Sequence, residues 1–178
     1  MQKRFIMRLR SWLCWKASLP RTRNSPALCG ALHYKAHLYR EAITHCDTAI
    51  RINPLLIDAY TVRGMARVAI GDLGTGIDDF TEAIGLEPND DTAWSCRSAA
   101  LQEKGDFAAA KSDIDEAIAR KPEVAFYRSQ RAHLAVAQAR WDSAIADASG
   151  ALCLGPNDVN AYKARSWAWR EKQAWASC

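Results

Sequence analysis

The stretch DDFTEAIGLEPNDDTAW, residues 78–94, joins the end of one predicted helix to the start of the next across a proline. Closely similar stretches, SDIDEAIARKPEVAFYR and ADASGALCLGPNDVNAY, occupy residues 112–128 and 146–162, at steps of 34 residues. A fixed period of roughly 20 to 50 residues is typical of an array of stacked structural units. Each segment is therefore interpreted as part of this repeating unit.

Single residue types keep the same spacing at several registers. Four of the six prolines follow it, at Pro54, Pro88, Pro122 and Pro156. An alanine, an arginine and an aspartate series follow it as well: Ala49, Ala83, Ala117 and Ala151; Arg63, Arg97, Arg131 and Arg165; Asp79, Asp113 and Asp147. A unit that recurs so regularly is expected to fold the same way each time.

Within one period the apolar spacing predicts helices. Between residues 107 and 118 apolar side chains recur at steps of three and four, which places them on one helical face. A second helical stripe runs through residues 94–101, and the two are separated by Gly105–Asp106. Glycine readily adopts the left-handed conformation that ends a helix. Each unit is therefore predicted to be a helix, a short turn, a second helix and a proline stop.

This pattern resembles the tetratricopeptide repeat (TPR) family, through the 34-residue period, the Gly–Asp turn and the closing Glu82-Ala83-Ile84…Pro88. The resemblance implies an all-α, right-handed solenoid of stacked antiparallel helix pairs. We expect a solenoid over residues 23–178, with four repeats and a partial fifth, at 23–56, 57–90, 91–124, 125–158 and 159–178.

The first 22 residues differ from the repeats in composition. Residues 1–40 hold nine Lys and Arg and no acidic residue, and an apolar helical face runs through residues 5–13. Such a segment is typical of an organelle transit peptide, or of a helix in which residues 1–16 bind a membrane surface. A disordered tail, or upstream sequence wrongly assigned to the gene, is the alternative. We expect a separate basic segment at 1–22 and a cytoplasmic protein, unless this segment directs it to an organelle.

Charge and cysteine content exclude several classes of protein. Residues 41–178 hold fifteen basic and twenty acidic side chains, so nucleic-acid binding through the repeats is not expected. No apolar run approaches the roughly 18–20 residues of a membrane span. The six cysteines form no CxxC pair, so we expect free thiols, several of them buried, in a reducing compartment.

The arginine and aspartate series lie on the first and second helices of the same units. The first unit lacks both, with Cys29 and His45 at those registers. Because the two are lost together, each arginine is expected to pair with the aspartate of its own unit. A partly exposed ion pair contributes ~0–1 kcal/mol to stability. A ligand-binding row of charges is the alternative.

The sequence offers little that could carry catalysis. His33 and His37 lie four residues apart, with His45 and Cys46 on the next helix, which is a possible metal-ligand spacing. No general-base glutamate lies between the first two histidines, and His33 occupies a core register. The glycine-rich stretch at 71–76 follows a helix rather than a strand, unlike a phosphate loop. We therefore expect no metal, no cofactor and no enzymatic activity.

The resemblance implies that the first helices line a concave groove that holds an extended or helical peptide of a partner protein. Projecting their registers inward gives one set of candidate partner-binding residues: Thr61, Met65, Val68, Thr92, Ser95, Ala99, Gln102, Ser129, His133, Val136, Lys163 and Trp167. This lining is small, mixed and weakly charged, which suits modest apolar pockets and a few hydrogen bonds.

One subclass of the family grips the C-terminal carboxylate of chaperones with Lys, Asn and Arg on successive first helices. The asparagine register here carries Val62, Cys96, Gln130 and Ala164. The later Lys and Arg registers carry Thr92 with Cys96, or Phe126 with Gln130. Binding of chaperone tails in this mode is therefore not expected.

The last predicted helix is rich in tryptophan, with Trp167, Trp169 and Trp175. Terminal repeats normally present a polar cap, and this helix does not. A partner, a second copy or further repeats of a longer protein could each cover it. The sequence therefore predicts a non-enzymatic interaction scaffold or adaptor. The alternative is a regulatory or targeting arm of a larger enzyme whose catalytic part lies elsewhere.

Overall fold

The computed structural model describes residues 26–176, so the predictions for segment 1–22 lie outside the described residues. This part of the chain folds into nine α-helices and contains no strand. In chain order the helices are α1 Pro26–Lys35, α2 Tyr39–Ile52, α3 Ile57–Ala69, α4 Leu73–Leu86, α5 Asp91–Lys104, α6 Phe107–Arg120, α7 Ala125–Ala137, α8 Trp141–Leu154 and α9 Val159–Ala176.

The helices form consecutive pairs, α1–α2, α3–α4, α5–α6 and α7–α8, and α9 packs on the last pair. Each pair is joined by a tight turn and stacks on the next pair, so the chain is an all-α solenoid of stacked helix pairs, as predicted.

The turn within each pair has one left-handed residue, and these four residues lie at the 34-residue period. Gly71 and Gly105 have φ of 87° and 90°, and the equivalent His37 and Ala139 have φ of 59° and 55°. In each turn the next residue donates its backbone N–H to a carbonyl five residues earlier, as Asp106 does to Leu101 at 2.9 Å. The predicted helix stop therefore recurs, although only two units carry the glycine that suits it.

Small residues allow the two helices of a pair to approach closely. A Cβ on Gly64 would lie 2.7 Å from Cε1 of Phe80 and 3.0 Å from the carbonyl oxygen of Gly76. At the same register Ser98 is buried, and its hydroxyl donates to the carbonyl oxygen of Ala110 at 2.7 Å. Both residues leave space for the facing backbone, which a larger side chain would fill.

The core lies between neighbouring units rather than at one centre, as expected for a solenoid. One cluster joins Leu101, Ile114 and Tyr127 across the third and fourth units. On α9 the packed residues are small, with Ala161 and Ala164 in one cluster and Ala168 in another. The last helix is therefore held by one alanine-lined face.

The first helices contact one another along the stack, whereas the second helices do not. Helix α1 packs on α3, α3 on α5, α5 on α7 and α7 on α9. Within residues 26–176 no Cα atoms of α2, α4, α6 and α8 approach one another to within 8 Å. Because the first helices are the more closely packed row, the stack curves and they form its concave face.

Two further expectations concern membranes and cysteines. None of the helices described here is long and apolar enough to cross a bilayer. The four cysteines in this part of the chain are all free thiols. Cys46 is fully buried, and burial raises the pKa of its thiol to about 11, whereas Cys153 is exposed.

Candidate partner-binding groove

The concave face contains a cavity of about 420 Å³ at its N-terminal end. The predicted residues Thr61, Met65 and Thr92 contribute to its lining. The other walls come from α1 and α3 and from the turn that precedes α3, and they are mainly apolar: Leu28, Ala31, Leu56, Asp58 and Val62. This end of the groove could hold an apolar side chain beside a carboxylate and two hydroxyl groups.

A second cavity, of about 520 Å³, lies at the C-terminal end of the same face. Four predicted residues line it together with Ala164, Ser166 and Arg170: His133, Val136, Lys163 and Trp167. The Trp167 side chain is 54% exposed, and the Arg170 guanidinium lies 5.5 Å from its ring centroid. The cavity thus has an aromatic and aliphatic floor with two cationic groups beside it.

Three predicted residues are largely buried at the base of the groove, and of these only Thr61 reaches one of the two cavities. Thr61, Ser95 and Ser129 are 6%, 5% and 1% exposed. They share one register at which neighbouring first helices pack together. A small hydroxyl residue fits there because the two helices leave no room for a larger side chain.

These buried hydroxyls have different surroundings. Ser95 donates to Oε1 of Gln130 at 2.7 Å, and Nε2 of Gln130 donates back to the Ser95 carbonyl oxygen at 2.9 Å. In the next unit the position of Gln130 is taken by Ala164, whose side chain cannot bond to Ser129. The Ser129 hydroxyl has no hydrogen-bond partner among the residues of this structure.

The remaining predicted residues are not gathered into either cavity. Ala99 is exposed and Gln102 half-buried on α5, between the two ends of the groove. Val68 faces α4 instead, since its Cγ2 would lie 2.8 Å from a Cβ placed on Gly76. The glycine at that position gives Val68 room to pack within its own pair.

Sequence reasoning missed cavity residues at both ends. Arg170 lies at the register of Gln102 and Val136, so extending the same projection to the last helix would have found it. Leu28 lies on the degraded first helix, which the projection did not include. Its exposed side chain gave no periodic signal in the sequence.

The arginine and aspartate series form ion pairs within units, as predicted. The distances are 2.7 Å for Arg63–Asp79, 2.7 Å for Arg97–Asp113 and 2.5 Å for Arg131–Asp147. The side chains of Asp79 and Asp113 are only 3% and 6% exposed, so these pairs are more buried than the sequence suggested. The carboxylates of Asp79 and Asp113 therefore stabilise the stack and are closed to a ligand, whereas Arg131 and Asp147 line a cavity of about 280 Å³.

The histidines of the first unit are engaged with their own neighbours. Nδ1 of His33 lies 2.7 Å from the carbonyl oxygen of Cys29, to which it can only donate. The rings of His33 and His45 lie 4.6 Å apart, and burial together with His33 lowers the pKa of His45. Within residues 26–176 no three metal-ligating side chains form a group.

Solved structures of TPR proteins share this fold. A thermophilic TPR protein of Thermus thermophilus is 20% identical, with a TM-score of 0.78 and 94% of each chain covered. MamA is 17% identical, with a TM-score of 0.71, over 81% of this chain and 84% of that one. The first TPR domain of Spaghetti (RPAP3), bound to the HSP90 peptide SRMEEVD, is 23% identical, with a TM-score of 0.62, over 67% and 93%.

No family model and no curated protein matches the sequence. At identities of 17–23% the structural likeness supports the fold, and it does not transfer a partner. The structural neighbours are nevertheless TPR proteins, in agreement with the resemblance that the 34-residue period suggested.

Proposed function

We propose that this protein is a non-enzymatic scaffold or adaptor that binds a peptide of a partner protein in its concave groove. The C-terminal cavity carries the proposal, because a large exposed aromatic side chain, Trp167, lies in a concave apolar site of about 520 Å³. Concave apolar sites with a few polar groups are the usual form of binding sites. One structural neighbour, RPAP3, was solved with a peptide, which supports this class of function.

The lining indicates the kind of peptide. In the C-terminal cavity Lys163 and Arg170 lie beside Trp167, so an aromatic or aliphatic side chain next to a carboxylate fits there. In the N-terminal cavity Met65 and Leu56 can hold an apolar side chain. We therefore propose a peptide with two apolar anchors, one of which is adjacent to Asp or Glu.

The peptide is proposed to differ from the one that RPAP3 holds. The register that carries asparagine in the chaperone-binding subclass has Gln130 and Ala164 in the last units of this chain. Gln130 is engaged with Ser95, so its amide is not free to bind a terminal carboxylate. An internal peptide segment fits these residues better than a chain end.

The test is selection from a phage-displayed library of random peptides on the full-length chain. We expect enriched peptides that combine an apolar or aromatic residue with Asp or Glu. Their affinity should fall roughly tenfold for Trp167→Ala, which removes a central aromatic anchor. Met65→Ala should weaken the same peptides if both cavities are used.

Trp169→Ala is the matched control, because Trp169 is a comparably exposed tryptophan of α9 that does not line the cavity. Peptides that bind Trp167→Ala as well as the unmodified chain would contradict the groove. Enrichment of acidic tails that require their free C-terminal carboxylate would instead contradict the proposed peptide class.

A further inference from the structure

Helix α9 exposes a face that is covered in every earlier unit. Ser98 and Ala132 are buried against the second helix of their own pair, whereas Ser166, at the same register, is exposed. Leu101 is 9% exposed, and Trp169, at its register, is 47% exposed. We call the surface formed by Tyr162, Arg165, Ser166 and Trp169 the end face.

Arg165 distinguishes the end face from a simple apolar surface. At its register the arginines of three earlier units bind an aspartate on the second helix of their own pair, at Arg63–Asp79, Arg97–Asp113 and Arg131–Asp147. Among residues 26–176 no carboxylate lies within ion-pair distance of Arg165, whose guanidinium lies 5.4 Å from the ring centroid of Tyr162. The end face thus presents an arginine in the position that binds aspartate elsewhere in the stack.

We propose that the end face docks an amphipathic helix of a partner protein, and that an aspartate of this helix binds Arg165. The protein's own second helices define the required pattern, which is small–x–x–Asp–apolar–x–x–Ala. It occurs at residues 76–83, 110–117 and 144–151. This inference concerns the side of α9 that carries Tyr162, Arg165 and Trp169, which meets the groove cavity at Ser166, and it does not depend on the proposed peptide.

Each part of the pattern has a counterpart on the end face. The small residue lets the partner backbone approach Ser166, whose hydroxyl can donate to a main-chain carbonyl as Ser98 does to Ala110 at 2.7 Å. The apolar residue and the alanine cover Trp169 and Tyr162. The aspartate accepts hydrogen bonds from the guanidinium of Arg165, which is a strong, directional interaction.

Charge argues against a second copy of this chain as the occupant. The described side chains of α9 include four basic residues and one acidic residue: Lys163, Arg165, Arg170 and Lys172, and Glu171. Lys163 and Arg170 line the groove cavity, and Lys172 forms an ion pair with Asp142, so Arg165 is the basic residue of the end face itself. Two end faces packed together would bring no carboxylate to either Arg165. The second helices that carry the required aspartates are already packed within their own units. The proposed occupant is therefore an exposed acidic amphipathic helix other than α2, α4, α6 and α8.

A synthetic peptide of residues 106–121, which spans α6, serves as the probe because it carries the required pattern around Asp113. We expect saturable binding of the fluorescein-labelled peptide to the full-length chain, measured by fluorescence anisotropy. Replacing Asp113 by Asn in the peptide should weaken binding roughly tenfold, since a charge-assisted hydrogen bond is lost. The variant Arg165→Asp should lose the unmodified peptide and bind the peptide carrying Asp113→Arg.

Three variants separate the end face from other surfaces. Trp169→Glu should abolish peptide binding, whereas Val159→Ala, at an exposed residue of α9 that lines neither the groove cavity nor the end face, should leave it unchanged. Loss of binding in Trp167→Ala with no loss in Trp169→Glu would assign the peptide to the groove and overturn the proposal. The variants therefore distinguish loss of peptide binding at the end face from loss of peptide binding in the groove. Equal binding of the Asp and Asn peptides, or binding that survives Trp169→Glu, would overturn the proposal.

The mass of the full-length chain in solution gives an independent test, measured by light scattering. We expect the same mass for the unmodified chain and for Trp169→Glu. A dimer that becomes a monomer in this variant would show that a second copy covers the end face. That result would overturn the assignment to a partner protein.

Discussion

Arg63 binds two aspartates that belong to different units of the stack. Its Nε and Nη2 donate to Asp79 of its own unit, at 3.1 Å and 2.7 Å, and its Nη1 donates to Asp47 of the preceding unit at 2.6 Å. Arg131 does the same with Asp147 and Asp115. The arginines therefore join neighbouring units as well as the two helices of one pair.

Removal of Asp79 is expected to destabilise the protein strongly. Asp79 is 2% exposed and accepts hydrogen bonds from both Arg63 and Arg67, so Asp79→Ala leaves two guanidinium groups without this partner. Loss of one member of a buried ion pair costs about 3 kcal/mol. The free energy of unfolding in urea would measure the effect.

Asp115→Ala is the control for this change. Asp115 also binds an arginine, but its side chain is 36% exposed and Arg131 keeps Asp147. The expected loss is about 1 kcal/mol or less, as for exposed ion pairs. Equal losses for the two variants would show that burial does not set the strength of these pairs.

Ala139→Gly is expected to stabilise the protein by about 1 kcal/mol, because a left-handed residue with a Cβ is strained and glycine is not. Ala139 has φ of 55° in the turn between α7 and α8. Thermal or urea unfolding would detect the gain. Gly105→Ala, at φ of 90° in the equivalent turn, should lower the free energy of unfolding by a similar amount. If both substitutions raised the free energy of unfolding, or both lowered it, strain at the left-handed residue would not account for the stability of these turns.

Two serines at one register are expected to respond differently to replacement by alanine. Ser95→Ala removes a hydroxyl bonded to Gln130 and should cost about 1 kcal/mol. Ser129→Ala removes a buried hydroxyl without a hydrogen-bond partner among the described residues, so stability should stay the same or rise. Urea unfolding of the two variants compares them directly, and a larger loss for Ser129→Ala would be incompatible with an unpaired hydroxyl.

A polar cluster of Asp91, Lys121 and Tyr127 links the third and fourth units. Lys121 Nζ lies 2.8 Å from Oδ1 of Asp91, and the Tyr127 hydroxyl donates to Oδ2. Burial alone would raise the pKa of Asp91, but the hydrogen bonds from Lys121 and Tyr127 lower it below its usual value. The hydrogen bond to Asp91 and its charge raise the pKa of Lys121.

These shifts predict a loss of stability at both ends of the pH range. The lowered pKa of Asp91 gives stability that is present above about pH 4 and is lost as pH falls through the folded-state value. The raised pKa of Lys121 gives stability that is present below about pH 10 and is lost as pH rises. Asp91→Asn should therefore flatten both limbs of the unfolding free energy against pH.

The matched control is Asp78→Asn, at an exposed aspartate of α4. Its pH dependence should follow that of the unmodified chain. If Asp91→Asn kept both limbs unchanged, other groups would have to account for the pH dependence.

The sequence by itself determined the solenoid. A unit of 34 residues has two amphipathic helices that cannot bury their apolar faces alone, so recurrence of the unit implies stacking. The periodic Arg97 and Asp113 also predicted an ion pair within a unit, because both lie at fixed positions on facing helices. These inferences needed only spacing along the chain and the geometry of a helix.

Tertiary structure decided which groove positions reach a ligand. The spacing along a helix assigns Ser95 and Trp167 to the same inner surface, but it does not give the distance between neighbouring helices. Close packing of the first helices buries the register of Ser95 and opens a cavity around Trp167 at the end of the row. The link from Arg63 to Asp47 has the same origin, because it depends on how far one unit is rotated against the next.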